Sequence, residues 1–165
     1  MIILEVFVVF HALNEEWYSK LVTLSTGSSI NHSGIMVRLP DNECVYYLTR
    51  VDRNWKLIDA DRYFNTFPPH SYFYIGSTTY QDKKVINLDD EYIVRPWKLM
   101  VWYYCTRFIW PFWKPKGCTT FVSKVLQSMG FKIKTHGAPV KLLKELKNAD
   151  HYIERQGESW KDLVG

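Results

Sequence analysis

Lys116-Gly117-Cys118-Thr119-Thr120-Phe121-Val122 sets how the rest of this chain is read. Val122, Val125 and Met129 recur at three- and four-residue spacing, which predicts a helix over Thr119–Met129 closed by Gly130. Cys118 falls four residues before Val122, so its thiol stands at the helix N-terminus on the face turned toward the protein. The first turn of a helix presents free N–H groups and a partial positive charge. Both favour a thiolate, the nucleophilic form of the side chain, and lower the thiol pKa. The same N–H groups can hold the oxyanion formed when a thiolate attacks a carbonyl. Gly117 removes side-chain bulk just before the thiol and lets a substrate approach. A cysteine on an apolar helix face is more often a small core residue, so the segment gains meaning only with a base beside it.

A cysteine nucleophile needs an imidazole to take its proton and a third group to orient that imidazole. The histidines are His11, His32, His70, His136 and His151. His32 is placed best, because it follows a Gly-Ser turn and directly precedes the apolar run Gly34–Leu39, a strand that would fix it. His11 ends the first strand, His70 lies in a Pro-flanked loop, His136 precedes Gly137 and a helix, and His151 is near the C-terminus.

The surrounding elements give the architecture. Ile2–Phe10 is β-branched and aromatic and reads as a strand. Asn14–Leu24 has helix spacing with Asn14 as N-cap, and Thr26-Gly-Ser-Ser ends it. Gly34–Leu39 and Cys44–Val51 flank the turn Pro40–Glu43 and form a hairpin. Lys56–Ile58, Ser71–Gly76 and Lys84–Leu88 read as further strands. Pro96–Trp110 reads as a helix stopped by Pro111, and Pro139–Lys147 as another. The order predicts an α+β fold, an antiparallel sheet packed against helices. With 165 residues the chain is expected to be one domain over 1–150 with a C-terminal tail over 151–165.

Composition excludes several classes. The net charge of +4 is scattered, and Lys141, Lys144 and Lys147 recur as the wet face of a helix, so nucleic-acid binding is not expected. Three cysteines, Cys44, Cys105 and Cys118, make neither a disulfide framework nor a CxxC zinc site. Asp59-Ala-Asp61 lacks further ligands at metal spacing and reads as a solvated turn. No cofactor is expected. Met1–Phe10 carries Glu5 and no basic flank, and Leu99–Trp113 is too short to span a bilayer, so neither a signal peptide nor a transmembrane helix is expected.

Two motifs carry a family resemblance. Leu21-Val-Thr-Leu-Ser-Thr-Gly-Ser-Ser-Ile-Asn-His-Ser-Gly-Ile-Met-Val37 resembles the histidine motif of circularly permuted NlpC/P60 papain-like enzymes, the group of YiiX-like and lecithin:retinol acyltransferase-like proteins. Gly117-Cys-Thr-Thr-Phe-Val-Ser-Lys-Val-Leu126 resembles the cysteine motif of the same group. The order, His before Cys, is that of the permuted members, and the short aromatic-rich chain is similar to uncharacterised bacteriophage members. The resemblance implies a permuted papain-like fold with Cys118 as nucleophile and His32 as base. It puts the third group on the strand after His32, where Tyr47 is the best match and Thr49 the alternative. Neither is a carboxylate, and a hydroxyl stabilises an imidazolium less than a negative charge does.

The implied function is a cysteine hydrolase, an amidase or peptidase working through a thioester acyl-enzyme, with peptidoglycan-type peptides as the first substrate class. An acyltransferase of the same fold and a catalytically silent structural or virion protein stay open beside it. Trp97–Trp113, with Lys98 and Arg107 among its aromatics, reads as a core helix and its connection. It also suits a groove for glycopeptide or acyl substrates, or peripheral contact with a membrane. The expected location is cytoplasmic or virion-associated.

Overall fold

The computed structural model describes residues 2–13, 17–48, 56–80, 117–149 and 153–155. Its elements run β1 (Ile2–His11), α1 (Trp17–Thr26), β2 (His32–Arg38), β3 (Cys44–Leu48), β4 (Lys56–Asp59), α2 (Ala60–Thr66), β5 (Ser71–Tyr80), α3 (Cys118–Ser128), α4 (Pro139–Asn148) and β6 (Ile153–Arg155). The described strands form one sheet in the order β4-β3-β2-β1-β5-β6, and every pairing is antiparallel. The architecture is therefore α+β with an antiparallel sheet, as the order of elements predicts.

Period-two alternation gives the sheet two apolar faces. Leu4, Val6, Val8 and Phe10 of β1 join Ile35 and Val37 of β2 and Phe73 and Ile75 of β5 beneath α3 and α4. Phe121, Val122, Val125 and Leu126 of α3 and Leu142, Leu143 and Leu146 of α4 close that layer. Phe7, Val9, Met36, Tyr46 and Tyr72 point the other way and pack on Ala60 and Phe64 of α2. The near-continuous apolar sequence of β1 follows from its central place, buried on both sides. On the α2 face, Glu5 and Arg38 are cross-strand partners and form an ion pair.

The β2–β3 hairpin turns at Asn42, whose φ of 68° is a left-handed conformation that Asn tolerates. The β1–β5 register shifts after Val6, opposite Gly76, whose φ is 151°. A side chain there would meet the Phe131 ring.

Two expectations change. Asp59-Ala-Asp61 is no turn: Asp59 caps α2, its carboxylate accepting the Arg62 N–H at 2.7 Å. A short polar start hid this helix from periodicity. Ile153–Arg155 joins the sheet beside β5, inside the stretch read as a tail. Several readings lie outside the described residues: Asn14, Thr49–Val51, Lys84–Leu88, Pro96–Trp110, Trp97–Trp113, Cys105 and His151. Among the described residues no helix is long and apolar enough to cross a membrane.

Candidate active site

The approach to His32 is fixed by one buried amide. Asn31 Oδ1 accepts the Leu13 N–H at 2.9 Å, and its Nδ2 donates to the Leu13 carbonyl at 2.6 Å and to Thr23 Oγ1 at 3.2 Å. The Asn31 N–H in turn reaches the His11 carbonyl at 3.1 Å. Asn31 thus ties the exit of β1, α1 and the start of β2 together, one residue before His32. The imidazole that follows is 8% exposed, and its register partner on β1 is His11.

Cys118 opens α3, with Gly117 as an N-cap in extended backbone that makes no side-chain cap hydrogen bond. A side chain at Gly117 would meet no described residue within 4 Å. The residue after His32 anchors this helix: the Ser33 hydroxyl lies 3.3 Å from Thr119 Oγ1, which docks the first turn of α3 onto β2. Thr119 Oγ1 also lies 3.8 Å from Cys118 Sγ.

These contacts set the thiol's acidity. Burial alone would raise the Cys118 pKa, but the charge and hydrogen bonding of His32, the Ser33 backbone and the Thr119 hydroxyl together bring it down to about 7. Cys44 shows the opposite balance: burial pushes its thiol up to about 11, with Arg38 only partly opposing. The structure therefore brings Cys118 and His32 together, and it places Cys44 in the core.

Tyr47 pairs through its backbone with Ile35 and Leu57, and Thr49 lies outside the described residues. From β3, Tyr46 reaches this region and is fully buried. Its hydroxyl occupies the space a Gly34 side chain would need and lies 3.0 Å from His11 Nε2. Burial raises the Tyr46 pKa well above the ordinary phenol value, and Tyr63 and Cys118 act in the same direction.

His11 is also fully buried, with its ring 6.0 Å from that of His32 and 5.7 Å from that of Tyr46, centroid to centroid. Burial and then the charge of His32 lower its pKa to about 3, against the Pro68 and Phe67 carbonyls. His11 is therefore neutral at physiological pH. Its Nδ1 lies 3.4 Å from the Pro68 carbonyl, which can only accept, so Nδ1 carries the proton and Nε2 accepts from Tyr46.

His11 and Tyr46 were not among the sequence-derived site residues. The sequence clue was available only in combination: a histidine at a strand end, and a strand register that sets it opposite His32. Of the other histidines, His136 pairs with Glu145 and His70 is exposed. Among the described residues no cluster of His, Cys, Asp or Glu could hold a metal ion.

No family model, curated protein or solved structure matches this chain.

Proposed function

We propose that this chain is a cysteine hydrolase of amides or esters, built on a permuted papain-like arrangement. The observation that carries the reading is the lowered pKa of Cys118 at the start of α3, with His32 as the group acting on it most strongly in that direction. A thiol of pKa about 7 is substantially ionised at neutral pH, which a nucleophile requires and a packing residue does not.

The mechanism follows from those groups. Cys118 Sγ gives its proton to His32 and attacks the substrate carbonyl, forming a tetrahedral oxyanion. The N–H groups of the first turn of α3 stabilise the oxyanion. His32 then protonates the leaving amine or alcohol as the C–N or C–O bond breaks, leaving a thioester. Water, deprotonated by His32, attacks the thioester; the C–S bond breaks, and the thiolate and a carboxylic acid are released. Peptide amides of peptidoglycan type are the first substrate class by family analogy. The aromatic segment Trp97–Trp113 favours a second reading, transfer of the acyl group to an amine or alcohol instead of water.

A substrate-like electrophilic probe tests the proposal. It should label the wild-type chain at Cys118 and lose that labelling in Cys118→Ala, and His32→Ala should slow labelling at least about tenfold at pH 7. Equal labelling of the wild type and Cys118→Ala would overturn the reading. Product analysis with and without an added amine separates hydrolysis from transfer.

A further inference from the structure

Protonation of His32 creates an unmet need. The imidazolium carries an N–H on both nitrogens, and Nε2 is buried with no hydrogen-bond partner among the described residues. A buried donor left unpaired is costly, and more so when it is charged. A third group that accepts this proton would favour the thiolate–imidazolium state.

The polar groups facing His32 are set by their own hydrogen bonds. His11 stands directly across from it on β1, but its Nε2 lone pair is occupied by Tyr46 and its Nδ1–H faces the Pro68 carbonyl. His11 therefore has no acceptor to offer. Tyr46 does: its proton is committed to His11, and its oxygen lone pairs remain. That oxygen rests over Gly34, two residues along β2 from His32, and Tyr46 and His32 share the α2 face of the sheet. The absence of a Cβ at residue 34 is what lets the phenol lie there.

The neutral His32 ring makes no hydrogen bond to Tyr46 through Nε2; we propose that Tyr46, with its hydroxyl proton held by His11, is the positioning residue of the site, its oxygen closing onto the His32 N–H once the imidazolium forms. This rests on the thiol–imidazole reading above and deepens it. It also fixes the role of His11, a neutral acceptor that turns a phenol from donor to acceptor. Among the described residues the titratable groups around the pair are His11 on β1, His32 on β2, Tyr63 on α2 and Cys118 on α3.

The test is the rate of Cys118 alkylation by iodoacetamide from pH 5 to 10, followed by peptide mapping on the full chain. Wild type should show a midpoint near 7. Tyr46→Phe keeps the ring and removes the oxygen; its midpoint should rise, with the rate at pH 7 falling about fivefold or more. His11→Leu should behave like Tyr46→Phe, and His11→Gln, which keeps an acceptor for the phenol, should recover most of the rate. A folded Tyr46→Phe with the wild-type profile overturns the role of Tyr46 and leaves Cys118 and His32 standing. A wild-type midpoint near 9, unchanged in His32→Ala, overturns the reading beneath it. Should the variants fail to fold, nitrogen NMR of the wild-type histidines still decides. His11 must be neutral with its proton on Nδ1, and an Nε2–H tautomer ends the proposal.

Discussion

At pH 7 the two described cysteines differ by their surroundings alone. Cys118 sits beside an imidazole and hydrogen-bond donors, and Cys44 belongs to the buried apolar layer that also holds Met36 and Phe64. Because the pKa of Cys118 is about 7, below the ordinary thiol value of 9.0, its thiolate fraction climbs through pH 7 and saturates near pH 9. Alkylation of Cys118 should follow that curve, while Cys44, at about 11, stays unmodified up to pH 9. Mass spectrometry of each cysteine peptide checks this, and equal rates at the two sites would contradict it. Gly34 gives a second residue-scale prediction. A methyl group there overlaps the Tyr46 hydroxyl, so Gly34→Ala should cost about 1–3 kcal/mol in denaturant unfolding.

The elements around the site are held by single polar side chains. Asn31 satisfies both the N–H and the carbonyl of Leu13, and it does so from inside the fold. Asn31→Ala leaves those backbone groups unpaired and should lower stability by about 1–3 kcal/mol, with slower probe labelling at Cys118 because His32 loses its anchor. Equilibrium unfolding and labelling kinetics on the same variant check the two parts. Asp59 is the corresponding device for α2. Asp59→Ala removes its N-cap bond, and a loss of about 1 kcal/mol is expected. Labelling at Cys118 should be unchanged there, since Asp59 caps α2 from an exposed position.

For the molecule as a whole, the buried His11 couples the site to acid stability. Its pKa is lowered from 6.5 to about 3 in the folded chain, so the unfolded chain binds a proton that the folded chain does not. The stabilisation is fully present above pH 6.5 and is lost as pH falls toward 3. Integrated from pH 7 to 4, this group alone removes about 3 kcal/mol. Urea unfolding at a series of pH values should show that slope, and His11→Gln should flatten it. An equal slope in both proteins would mean that other groups carry the acid sensitivity.

The sequence by itself determined the elements with strong periodicity: the apolar strand β1, the hairpin of β2 and β3, and the two amphipathic helices α3 and α4. Those patterns are local, set by the two- and 3.6-residue repeats of strand and helix. It also placed Cys118 at a helix start and His32 at a strand start, because both positions follow from the flanking pattern. The short helix α2 escaped it, since seven residues with two buried side chains carry little periodicity. Only the tertiary structure decided that His11 faces His32 and that Tyr46 reaches over Gly34 to His11. Strand register does that work. Pairing across the sheet joins residues 11, 32 and 46, which no local repeat links, and burial then fixes which of their polar atoms must satisfy one another.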